Sequence, residues 1–137
     1  MSFSNYLEGK VIDLCFGGTA FTPSGTLYVA VGSGTAPIDD GTLFFEYSGN
    51  GYARVAVANT KAQWATYGSP VASGTYNLNS ITFPQASADW GILRCFAIYD
   101  QSVGGNQYAW GMLTTAKTIS NGDTAYFGSG NLNIVID

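Results

Sequence analysis

The sequence predicts an all-β fold, an antiparallel β-sandwich of jelly-roll-like form with about eight strands, preceded by a short N-terminal α-helix. Three observations carry this expectation. Short β-rich segments follow one another from residue 26 onward, each bounded by Gly, Asn, Ser or Pro, which is the spacing of a sandwich. Hydrophobic residues make up 46% of the 137, aromatic ones 15% and charged ones only 10%, with 18 Gly, a profile of a rigid, loop-rich β protein and not of a disordered chain. Helical periodicity occurs only at the start. A chain of this length is expected to fold as one domain, residues 1–137, burying roughly two-thirds of the surface that its unfolded form exposes.

The helix is placed at about residues 5–16. Asn5 and Glu8 form a capping-box-like pair, Phe3, Leu7, Val11 and Leu14 recur near helical spacing, and Gly17-Gly18 supplies the stop. Gly9 in its middle costs on the order of 1 kcal/mol relative to Ala, which fits a position closely approached by another backbone. Strands are then expected at Thr26–Val31, Tyr52–Val57, Ser80–Phe83, Ile92–Tyr99, Tyr108–Leu113, Thr124–Phe127 and Leu132–Ile136. A weaker one falls near Gln63–Thr66 or Thr75–Leu78.

Two arginines stand inside these strands. Alternation puts Tyr52, Arg54 and Ala56 on one face and Ala53, Val55 and Val57 on the other, so Arg54 is expected to point outward beside Tyr52. In the same way Arg94 shares a face with Phe96 and Ile98, opposite Leu93, Cys95, Ala97 and Tyr99. Two readings stand for both. Either the arginine stem covers apolar surface while its head meets water or a carboxylate such as Asp89 or Asp100, or the face meets another subunit, because Arg and aromatic residues are enriched in interface cores. The segment D40-G-T-L-F-F-E-Y-S-G-N-G51 adds an aromatic cluster between turn residues. Its rings form a satellite core or a contact surface, and the surface is the favoured reading because a Gly-bracketed segment has little scaffold to hide them. The candidate interface is therefore Phe44, Phe45, Tyr47, Tyr52, Arg54 and Arg94.

Catalytic chemistry finds little to work with. The absence of His removes the Ser-His-Asp arrangement, the Cys-His pair and most zinc sites, since each needs an imidazole. Most of the nine carboxylates fall at turns or on the helix, where Asp39-Asp40-Gly41 and Gly122-Asp123 read as turn chemistry. Asp39-Asp40 alone offers too few oxygens for calcium. No catalytic residue, metal site or cofactor is expected. The formal charge is −4 and the five cations are scattered, so nucleic acid is not an expected partner. Membrane insertion is not expected either, for want of an apolar run of about 18 residues or a signal-like N-terminus, and synthesis in a cytoplasm is. Cys15 and Cys95 lie in apolar surroundings and read as small buried hydrophobes.

The succession S4-N-Y-L-E-G-K10, F16-G-G-T19, L27-Y-V-A30, G51-Y-A-R-V-A-V57, I81-T-F-P84, A109-W-G-M-L-T-T-A-K117, G122-D-T-A-Y-F127 and L132-N-I-V-I-D137 resembles a family of small tailed-bacteriophage virion proteins. Members are labelled phage tail fibre protein and are similar to head decoration or cement proteins. The resemblance implies a structural, non-enzymatic protein of the virion, on the capsid exterior or the tail, assembled in the host bacterial cytoplasm and commonly homotrimeric. Its main implication is a cement protein bound to the major capsid protein. The alternative is a tail fibre or appendage that contacts tail proteins and recognises a host surface glycan, with Trp64 and Trp90 as stacking platforms. In L43-F-F-E-Y47 the chain departs from the more polar loop expected of the family.

Overall fold

In the computed structural model, which describes residues 2–68 and 73–135, five strands make one antiparallel sheet. They are β1 (Ser2–Phe3), β2 (Thr26–Gly32), β3 (Val55–Ala58), β7 (Gly91–Tyr99) and β8 (Gln107–Ile119), in the spatial order β1-β8-β7-β2-β3. A three-stranded sheet, β10-β5-β4, joins β4 (Trp64–Tyr67), β5 (Gly74–Asn77) and β10 (Asn133–Val135), and a ladder of two joins β6 (Ile81–Thr82) to β9 (Tyr126–Phe127). The sandwich is thus layered as expected, with sheets of five, three and two strands where a jelly roll has two sheets of four. Both weakly signalled segments are strands: they pair with each other, Trp64 opposite Asn77. The end of the last expected strand, Ile136, lies outside the described residues.

The main core fills the space between the layers. Leu27, Val29, Phe96 and Ile98 of the large sheet meet Trp64, Ile81 and Ile134 of the smaller ones, with Phe83 and Leu132 beside their strands, the arrangement that period-2 alternation on facing sheets produces. A smaller cluster of Ala30, Phe44, Cys95 and Ala97 lies apart from it. Strand β7 contributes to both clusters and is buried on both faces. The alternation expected along it fails at one point, because a register shift between Leu93 and Cys95 puts Leu93 with Phe96 and Ile98 in the main core. The extra residues lie on β8, where Leu113, Thr114, Thr115 and Ala116 stand opposite Arg94 alone, and the bulge resets which side chains face inward.

Strand β8 runs six residues beyond the expected Leu113. Its second half, T114-T-A-K-T118, is exposed, with Lys117 and Thr118 paired to β7 and the three residues before them in the bulge, so no apolar alternation marks it in the sequence. Strand β3 begins at Val55 and not at Tyr52, because Tyr52 closes a turn through its N–H to the Gly49 carbonyl at 2.9 Å.

The helix α1 spans Asn5–Phe16, as expected, but its cap is one residue earlier than the Asn5-Glu8 pair suggested. Ser4 Oγ accepts from Leu7 N at 3.3 Å and donates to the Gln107 carbonyl, so one hydroxyl both caps the helix and pins it to β8. Gly17 donates to the Asp13 carbonyl and Gly18 takes φ +65°, ending the helix. The expectation of a close backbone at Gly9 is corrected: nothing stands within 4 Å of a Cβ there. Cys15 is corrected too. It is exposed, and only Cys95 is buried, because the helix leaves the body after its first two turns.

Candidate functional site

The segment between β2 and β3 lies along the end of β2 as an irregular extra strand. Ser33 N–H donates to the Phe45 carbonyl, Gly34 N–H to the Phe44 carbonyl and Tyr47 N–H to the Val31 carbonyl, each at 3.1 Å. Gly32 bridges to Glu46. This approach demands glycine: a Cβ on Gly32 would stand 2.4 Å from the Phe44 carbonyl oxygen, and one on Gly34 2.0 Å from that of Leu43.

Within the segment, Leu43 and Phe45 take φ of 59° and 50°, a left-handed conformation that bulky residues rarely adopt. The alternation that results is sharp. Phe44 is 2% exposed and packs with Ala30, Cys95 and Ala97, its ring 6.3 Å from that of Tyr99. Phe45 is 64% exposed, and Leu43 and Ile38 are also exposed. A buried ring therefore anchors the segment while its neighbours are held outward in strained backbone.

Arg54 holds this segment to the rest of the sheet. Its Nε and Nη2 donate to the two oxygens of Glu46 at 2.8 and 2.7 Å. Its Nη1 donates to the carbonyls of Gln101 and Gly104, both at 2.8 Å. The guanidinium carbon stands 3.7 Å from the centre of the Tyr99 ring, a stacked cation–π contact, and the side chain is only 6% exposed. Burial pulls the Arg54 pKa down, but the hydrogen bonds and charge of Glu46 outweigh it and the net shift is upward. Tyr52 completes the network, donating to Glu46 at 2.9 Å and accepting from Val31 N at 3.2 Å. Burial, then the negative charge of Glu46, push its phenol up.

The sequence-derived candidates thus separate. Arg54 does not point outward: it is a clamp between two connections, and its carboxylate is Glu46 in place of Asp89 or Asp100. Those two serve turns, Asp89 accepting from Asn121 N and Asp100 from Asn106 N, each at 2.7 Å. Asp40 is likewise a turn residue, and hydrogen bonding from Thr42 holds its carboxyl below the usual range. Tyr47 and Tyr52 are half-buried against the main core, Tyr47 stacking on Trp90 at 5.4 Å and Tyr52 on Phe83 at 6.1 Å. Among the described residues Arg94 reaches only the Ser33 carbonyl, at 3.3 Å. Of the six, Phe45 alone is largely exposed. Trp64 and Trp90 are buried among the core residues, which removes them as platforms for sugar rings.

Sequence reasoning missed Glu46, Tyr99 and the exposed Val103 between the two carbonyls that Arg54 holds. One signal could have found Glu46: the turn S48-G-N-G51 folds the chain back so that residue 46 faces 52 and 54. Among the described residues, no group of three or more His, Cys, Asp or Glu could hold a metal ion, and no helix is long and apolar enough to cross a membrane.

No curated protein matches the chain. The model of one family, described as Podophage GP4 fiber I protein gp80, matches residues 2–135. With every described strand inside that match, the chain belongs to this phage tail fibre family.

Proposed function

We propose that the protein is a non-enzymatic building block of the phage tail fibre, and that it joins the virion through the apolar patch of Leu43 and Phe45. The family supports the fibre over the capsid-cement reading. The observation that carries the patch is the strained backbone at those two positions, which holds apolar side chains in water. A left-handed Phe costs on the order of 1 kcal/mol or more and persists only where the surroundings impose it. Here Phe44 below and the Arg54 clamp beside it impose it.

Asparagine tolerates left-handed φ better than Leu or Phe. The double variant Leu43→Asn, Phe45→Asn is therefore expected to melt at or slightly above the temperature of the parent while failing to incorporate into virions. Phe44→Ala, by contrast, should lose about 3–5 kcal/mol as a buried ring. Gold-labelled antibody on intact particles is expected on the tail fibres. Label spread over the head would return the cement reading, and full incorporation of the double variant would remove the patch.

A further inference from the structure

Helix α1 is packed only at its base. Tyr6 and Leu7 lie against the main core, whereas every residue from Val11 to Ala20 is exposed. Val11, Ile12, Leu14 and Phe16 are apolar, and Phe16 is 89% exposed. At 1.5 Å per residue Phe16 stands about 14 Å beyond Leu7. An apolar helix end of this kind is uncovered surface of the sort that marks an interaction site.

The same chain offers a cover of matching chemistry. Beside the base of α1 is a cleft of about 330 Å³ lined by Phe3, Leu7, Leu27, Trp64, Ile98 and Ile134. Lys61 also lines it and is exposed. The indole N–H of Trp64, one of these lining residues, is buried with no acceptor among the described residues. The helix tip complements each feature. It brings four apolar side chains, it carries Asp13 with no basic residue in the last turn, and a helix C-terminus adds a partial negative charge and carbonyls without intrahelical partners. Leu7 of the same helix forms part of the cleft wall, so the tip of a rigid α1 cannot enter its own cleft.

We infer that the α1 tip of one copy docks into the cleft of a second copy, with Phe16 buried and Asp13 facing Lys61. Tip and cleft are different surfaces, so the contact is heterologous and closes into a ring or runs on as a filament. The contact involves this chain alone and does not depend on how the protein is attached to the virion.

Sedimentation equilibrium of the full chain in reducing buffer, which keeps the exposed Cys15 from cross-linking, tests the inference. The parent is expected as a multimer at micromolar concentration and Phe16→Asp as a folded monomer with the circular-dichroism spectrum of the parent, its melting temperature lower only by what association adds. Asp13→Lys and Lys61→Glu should each weaken association about tenfold, and the two together should restore it. A monomeric parent, a Phe16→Asp variant of parental mass, or a double reversal as weak as either single one would overturn the inference.

Discussion

Arg54 makes four charge-assisted hydrogen bonds and covers an aromatic face, and its removal would leave Glu46 facing Tyr52 with no cation. Breaking a buried pair by deleting one partner costs about 3–5 kcal/mol, and the partial exposure of Glu46 lowers the figure toward about 2–3. Arg54→Ala should therefore lower the unfolding free energy by that amount, read from urea titrations as a lower midpoint at unchanged slope. Arg54→Lys should recover only a minor part, because an ammonium cannot match a carboxylate at two points, reach two carbonyls and stack on a ring at once. A carboxylate partner for Arg54 was one of the two readings that the sequence left open. Which carboxylate was not readable, because the pairing depends on a turn of four small polar residues and not on strand alternation.

At the scale of elements, the connection between β2 and β3 behaves as part of the sheet. Its carbonyls replace those of β3 beside Ser33 and Gly34, and the fit has no room for a side chain. Gly34→Ala would force a Cβ against the Leu43 carbonyl, so the segment must lift and uncover Phe44. The expected result is a loss of several kcal/mol, set by the buried ring, with new protease cleavage between residues 38 and 47. Limited proteolysis with mass spectrometry reads both. The core strands were legible because Val, Ile, Phe and Tyr alternate in them, and the helix because its stop signal is a Gly pair. The exposed half of β8 and the buried role of Phe44 were not, since one has no apolar pattern and the other lies in a segment that turn residues mark as a loop.

For the whole molecule, the absence of His leaves the neutral range without a side chain of matching pKa, and the buried thiol and phenols place a response to pH on the alkaline side. Burial pushes the Cys95 thiol from 9.0 to about 11, and burial likewise pushes Tyr52, Tyr99 and Tyr108 up. Each group is neutral when protonated and holds its proton more tightly when folded. Stability is therefore full below the unfolded values and is lost as pH rises through the folded ones, Cys95 alone contributing up to about 3 kcal/mol between pH 9 and 11. Urea midpoints should fall between about pH 8 and about pH 10.5, and Cys95→Ala should fall less from its own starting value. A flat profile would contradict the burial of these groups.

The pairing of β1 with β8 has a consequence for how the chain comes to be folded. Ser4 and Gln107, joined by a hydrogen bond, are 103 positions apart, and β8 contributes to the sheet only when its last residues are free. On the ribosome, where synthesis runs N-terminus first, the helix can form while its anchor does not yet exist. The chain must then wait for β8, more than 100 residues after β1, before its largest sheet can close, which places it among the slow, non-local folders that take milliseconds to seconds. During that interval the apolar end of the helix is the first sticky surface the nascent chain presents, before any cleft has been built to receive it.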